Sequence, residues 1–232
     1  MREPTLQRVG ALLGEAALAR LRQSRVLVVG LGAVGGACLE ALARSGVGHL
    51  SLVDGDCFEA SNLNRQPFAS LATLGQPKSE ATQTRLREIA PTCHAEVRTC
   101  RLDAGNVAEL LAWARPDAVV DAIDDLPAKL ALLEAAVRAQ LPAWSAMGAA
   151  RKRDPGALQV SDLAKTQVCP LARAVRQGLR KRGITRGIRC VWSSEVPSPL
   201  GETHLLGSYM PVTASAGLRL AADVIAALTR AD

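Results

Sequence analysis

The stretch SRVLVVGLGAVG, residues 24–35, decides the fold. Its first half is a short apolar, valine-rich run, the pattern of a strand buried on both faces. Its second half reads G-x-G-x-x-G from Gly30 to Gly35 and opens GGACLEALARSG, a helical pattern that stops at Gly46. A strand, a glycine turn and a helix in that order make a nucleotide-binding unit. The glycines let the backbone turn tightly and approach a phosphate, and the helix start offers free N–H groups and a positive dipole end. Gly30, Gly32, Ala33 and Gly35 are therefore the expected cofactor-binding turn. Alone, such a turn suits NAD, FAD, SAM or ATP.

Outward from this turn the chain alternates. HLSLVDGD is a second strand with acids at its end, KSEATQTRLREIA a helix, AEVRTCRL a third strand and NVAELLAWA a helix. DAVVDAID is a fourth strand, LPAKLALLEAAVRAQ a helix and PAWSAMGA a fifth strand. This rhythm predicts an α/β fold with a doubly wound, mostly parallel, Rossmann-like sheet. After residue 150 it changes: RKRDPGALQVSDLAKT holds a turn and a strand, PLARAVRQGLRKRG a helix and IRCVWSSEVP a strand. A loop and an amphipathic final helix complete the chain, so the sheet gains a C-terminal sheet and helix extension. With no repeat and no low-complexity linker, residues 1–232 read as one domain, with a nucleotide-binding half (1–150) and a second half (151–232).

Composition narrows the class. The 232 residues are 48% hydrophobic and 22% charged, an ordinary globular balance. No uninterrupted apolar run approaches the roughly 20 residues of a membrane span, and the N-terminus has no apolar signal core. The expectation is a cytoplasmic protein with no membrane partner. Six cysteines form no CxxC pair, so neither zinc nor disulfides are expected. Cys169, beside Pro170, is weighed as an exposed, reactive thiol or a bland one, and the bland role is favoured; Cys190 lies in an apolar strand. His204 sits in the late loop. The net charge is +6, and its densest basic stretch spans residues 176–189. Arg176, Arg180, Lys181, Arg182 and Arg186 there can hold the phosphates of a polyanion such as tRNA, although a solvated helix face explains part of the charge.

The choice among nucleotides rests on the residues beyond the second strand. Asp54, at that strand's end, is placed to accept hydrogen bonds from ribose hydroxyls. SNLNRQ then supplies Asn62, Asn64 and Arg65 near the phosphate end. Arg65 can grip phosphate oxygens as a fork, Lys78 adds a second cation at the next helix start, and Asp124 after the fourth strand can hold Mg²⁺. Such a set stabilises charge as pyrophosphate leaves, which hydride transfer does not require. Arg65, Lys78 and Asp124 are the expected catalytic residues, and ATP with Mg²⁺ the expected cofactors.

VLVVGLGAVGG, LVDGD, SNLNRQ, LGQPKSEA and VVDAIDD, in this order, resemble the ThiF/MoeB superfamily, the adenylating relatives of ubiquitin-activating enzymes. The resemblance implies that Asp54 binds ribose, that Asn62, Arg65 and Lys78 surround the phosphates, and that Asp124 coordinates Mg²⁺ with Asp121 nearby. DPGALQVSDLAKTQVCPLARAVRQGLRKRG, IRCVWSSE and GSYMPVTASAGL resemble its tRNA threonylcarbamoyladenosine dehydratase branch. That branch implies ATP-dependent adenylation of the threonyl carboxylate of threonylcarbamoyl-adenosine in tRNA, followed by cyclisation with net loss of water. It implies a homodimer whose second half serves substrate and dimer contacts, and it leaves room for a sulfur-relay protein partner. A monovalent cation near the site stays open. The alternative is adenylation of the C-terminus of a ubiquitin-like sulfur-carrier protein, against which the missing CxxC pairs count. An NAD-dependent oxidoreductase would leave Arg65 and Lys78 idle; a non-catalytic tRNA-binding descendant is the remaining rival. Family arginines near the N-terminus reach ATP phosphates across a dimer. Here QRVGALLGE keeps Arg8, with Arg20 and Arg22 as substitutes, in a segment that reads as shortened, and the longer tail of some relatives is missing.

Overall fold

A computed structural model describes residues 4–200 and 206–230; His204 lies outside them. Two short helices, α1 (Gln7–Leu13) and α2 (Glu15–Gln23), precede β1 (Arg25–Val29) and α3 (Ala33–Arg44). Next come β2 (His49–Val53), α4 (Lys78–Ile89), β3 (His94–Arg98), α5 (Val107–Ala114), β4 (Ala118–Asp121), α6 (Leu126–Arg138) and β5 (Ala143–Ala146). The second half adds β6 (Leu158–Asp162), α7 (Pro170–Arg180), β7 (Ile188–Ser193) and α8 (Met210–Leu228).

The seven strands form one sheet in the order β3-β2-β1-β4-β5-β7-β6. All pairings are parallel except β6 with β7. The expected doubly wound sheet is present, and its C-terminal extension is the antiparallel β7–β6 edge. Because successive strand residues point to opposite faces, each central strand feeds two cores. Val26, Val28, Leu50, Leu52 and Val120 pack with Leu39 and Leu42 of α3 and Leu220 and Val224 of α8. Leu27, Val29 and Val119 pack on the other face with Leu110 of α5, Leu132 and Leu133 of α6 and Val175 of α7.

Among the described residues, α8 alone is long and apolar enough by length and composition to cross a membrane. Arg219 and Asp223 interrupt it. Its apolar face closes the first core, and Asp223 accepts hydrogen bonds from Trp144 of β5 (2.8 Å) and Arg189 of β7 (2.6 and 2.8 Å). Gly217 lets α8 lie directly on α3, since a Cβ there would stand 2.4 Å from the Val34 carbonyl oxygen.

Candidate active site

The strand order reverses direction at β1 and β4, the switch point where α/β sheets leave a crevice at their carboxyl ends. Here that crevice is a cavity of about 1050 Å³. The glycine turn forms its floor. Gly30 has φ +89°, and a Cβ on Gly35 would stand 1.8 Å from the Gly30 carbonyl oxygen, so the turn and the first turn of α3 touch backbone to backbone. Gly30, Gly32 and Ala33 line the cavity. Gly35 is buried beneath the turn and shapes it from below.

Asp54 leaves the end of β2 and lines the cavity. Its two oxygens accept the backbone N–H groups of Leu31 (2.7 Å) and Asp56 (2.8 Å), which tie the glycine turn to the β2 loop. Each carboxylate oxygen keeps further acceptor capacity, as a ribose contact requires. Lys78, first residue of α4, is buried, and its Nζ lies 3.3 Å from Asp56. Asp56 also holds Arg101 at 2.9 Å, so one carboxylate spaces two cations at the rim. The sequence reading missed both Asp56 and Arg101. Arg65 lines the cavity with its Nη1 donating to the Ser61 carbonyl (2.7 Å) and to Asn64 Oδ1 (2.8 Å). Asp124 also lines it and is exposed.

The asparagines act one step back. Asn62 is buried, accepts the Glu59 backbone N–H at 3.2 Å and donates to Ser61 at 3.3 Å. Asn64 fixes Arg65 and donates to the Ser208 carbonyl at 2.9 Å, joining this loop to the approach to α8. Neither lines the cavity, so their work is to shape the loop that aims Arg65. Asp121 departs furthest from expectation. It is fully buried at the end of β4, bonded to Lys129 (2.7 Å), Ser145 (2.5 Å) and the Ile123 N–H (3.0 Å). With its oxygens so committed, it sets the course of the 122–124 loop instead of facing a nucleotide. Lys129, from the first turn of α6, gave no signal in the sequence because a lone lysine in a helix reads as a solvated face.

The part of the lining contributed after β5, termed the second lobe, comprises residues 147–152, Cys169 and Pro170 at the start of α7, and Pro197, Leu206 and Ser208. Cys169 is buried, which removes the exposed-thiol reading. Cys190 is buried as expected, and burial pushes its thiol up to about 12. The sequence reading missed Arg151 and Lys152, although two cations in the segment after a fifth strand stand at the ligand end of such a sheet.

The basic segment divides. Arg176 folds back onto Thr166, donating to its carbonyl at 3.1 Å and to its hydroxyl. Arg182 pairs with Glu134 at 2.8 Å. Arg180, Lys181 and Arg186 are exposed, with no ion pair among the described residues. Arg8 is exposed on α1 and does not line the cavity. Arg20 donates to the Thr229 carbonyl after α8.

With this geometry in place, the chain's relatives are informative. The ThiF family model matches residues 6–232. A Bacillus subtilis tRNA threonylcarbamoyladenosine dehydratase is 38% identical over 190 residues, covering 82% of this chain and 74% of that protein. A Saccharomyces cerevisiae tRNA threonylcarbamoyladenosine dehydratase 2 is 42% identical over 195 residues, with 81% of this chain covered but only 42% of the yeast protein. The crystal structure of the Escherichia coli tRNA N6-threonylcarbamoyladenosine dehydratase in complex with ATP superposes with a TM-score of 0.90 at 33% identity, over 96% of this chain and 93% of that one. The chain belongs to the ThiF family.

Proposed function

We propose that the protein uses ATP to adenylate the threonyl carboxylate of threonylcarbamoyl-adenosine in tRNA and then drives its cyclisation, with net loss of water. One observation carries the reading: Asp54, Arg65, Lys78 and Asp124, spread over 71 positions of sequence, converge on one cavity at the open start of α3. The likeness to dehydratases over most of the chain supports it.

In this reading Asp54 receives the ribose hydroxyls, and the α3 N-terminus faces the phosphates with its free N–H groups. Arg65, held by Asn64 and Ser61, and Lys78, held by Asp56, stabilise the charge that develops as pyrophosphate leaves. The substrate carboxylate attacks the α-phosphate; the P–O bond to pyrophosphate breaks and an acyl-adenylate forms. The substrate's own carbamoyl group then attacks the activated carbonyl, AMP departs, and a five-membered ring closes. Because this nucleophile is tethered, proximity supplies much of the second step.

The donor set suits Mg²⁺. Among the described residues no group of three or more His, Cys, Asp or Glu side chains could hold a metal. Mg²⁺ bound with ATP needs only one or two carboxylates, because phosphates and water complete its shell. Asp124 would hold it, and the ion would neutralise phosphate charge.

Arg180, Lys181 and Arg186 would receive tRNA phosphates, and the protein would work in the cytoplasm. A homodimer is the assembly we favour, with residues 1–150 as nucleotide half and 151–232 as substrate and dimer half. Exposed Leu12, on the same helix as Arg8, suits a partner surface and would let Arg8 reach a neighbouring site. The deciding measurement is mass analysis of tRNA nucleosides after incubation with the protein, ATP and Mg²⁺. Threonylcarbamoyl-adenosine should lose the mass of one water. An unchanged nucleoside in the presence of full ATP binding would refute the assignment.

A further inference from the structure

Among the described residues three lysines are buried, and two have carboxylate partners. Lys129 is held by Asp121 at 2.7 Å and Lys78 by Asp56 at 3.3 Å. Lys152 is 3% exposed, lines the second lobe of the cavity and has no ion pair among the described residues. Its Nζ donates to the backbone carbonyl of Glu195. The Glu195 carboxylate is taken elsewhere, accepting the Arg153 N–H at 2.9 and 3.0 Å and the Asp154 N–H at 3.0 Å. Burial pulls the Lys152 ammonium below the usual lysine range, with nearby Cys169 and Glu195 opposing that pull. A buried cation without a counter-ion is costly, and the cost falls when an anion arrives.

The backbone around this lysine is strained. Arg151, immediately before it, has φ +60°, and Val168, immediately before Cys169 of the same lining, has φ +61°. A β-branched residue in the left-handed region is an outlier, and such strain clusters where a side chain must be aimed. The wall itself is the segment after β5, at the carboxyl edge of the sheet, next to the β4 loop that carries Asp124.

We infer that Lys152 receives the substrate's carboxylate, holding the anionic nucleophile in the second lobe while ATP occupies the first. This inference rests on the proposed function and adds the residue that would select an acid-bearing nucleoside over plain adenosine. Two anions, carboxylate and triphosphate, must meet for adenylation. A cation supplied by the substrate lobe offsets their repulsion without weakening the grip on pyrophosphate by Arg65 and Lys78.

The test compares tRNA carrying threonylcarbamoyl-adenosine with the same tRNA carrying plain adenosine, both in the presence of a non-hydrolysable ATP analogue. The intact protein should prefer the modified tRNA. Lys152→Met should lose that preference by roughly 10-fold or more, the scale of one charge-assisted contact, while ATP titration and thermal melting stay near wild type. Lys152→Arg, which keeps the charge, should retain part of the preference. Should Lys152→Met not fold, Lys152→Gln keeps a donor for the Glu195 carbonyl and is read the same way. An undiminished preference in a folded Lys152→Met or Lys152→Gln protein overturns the inference and leaves the proposed function standing. A parallel loss of ATP affinity also overturns it, by making Lys152 a nucleotide ligand. Failure of the intact protein to convert modified tRNA would bring down the proposed function itself.

Discussion

Lys129 and Asp121 show how a residue can matter to a site it never faces. The pair is fully buried, and Asp121 spends its second oxygen on the Ile123 N–H, so the ion pair steers the loop that carries Asp124. Truncating one partner leaves the other as an uncompensated buried charge. Lys129→Met is expected to lower unfolding stability by about 3–5 kcal/mol, read by urea denaturation. The double change Lys129→Met with Asp121→Leu should recover much of that loss, because the stranded charge is gone. A single variant as stable as wild type would mean that the pair contributes no constraint. This bond lies outside what periodicity can show. DAVVDAID places Asp121 correctly at a strand end, but its partner comes from the next helix, and only folding tells whether the carboxylate turns inward or toward the cavity.

At the scale of elements, α8 decides how firmly the nucleotide turn is held. Gly217 brings it against the first turns of α3, with Ala37 Cβ only 2.8 Å from where a Cβ would stand. Gly217→Ala should push the helices apart, costing about 1–3 kcal/mol and weakening ATP binding through the displaced α3 start; calorimetry and an ATP titration measure the two effects. Asp223 anchors the same helix to β5 and β7. The hydrogen bond from Arg189 holds its carboxyl below the ordinary value of 3.8. A depressed folded-state value means that this stabilisation is fully present above pH 3.8 and is lost as pH falls through the lower folded value. Asp223→Asn should therefore cost about 1 kcal/mol at neutral pH, a modest figure because Arg189 is half open to solvent. The gap from wild type should close in strong acid. A gap that persists there would point to packing instead of charge. The limits of α3 to α8 were legible to within a few residues because apolar periodicity sets them; α1 and α2 were not read from the sequence, and neither was the α3–α8 contact, because Gly217 looks like any glycine in a helix.

For the molecule as a whole, surface charge is selective where composition is not. Of the basic cluster, Arg176 and Arg182 are committed to neighbours, and Arg180, Lys181 and Arg186 remain outward. Replacing these three with Gln should weaken tRNA binding at low salt and make the log–log salt dependence shallower by about 2, measured by filter binding over a salt series. ATP binding should not change. An unaltered slope would move the tRNA surface elsewhere on the protein.

The order of strands and helices from β1 onward, the glycine turn and the cations proposed to surround a triphosphate were legible in the sequence alone; α1 and α2 were not. Those legible features depend on local rules: alternation of apolar residues, the conformational freedom of Gly30, and the placement of Asp54 and Lys78 at element ends. Tertiary structure decided which polar groups turn inward. It committed Asp121 to Lys129, set Asn62 and Asn64 to holding their loop, buried Cys169 and left Lys152 facing a cavity without a counter-ion. The reason is physical. Whether a polar side chain is paired depends on groups distant in sequence, and the cost of burial falls on whichever pairings the packed chain permits.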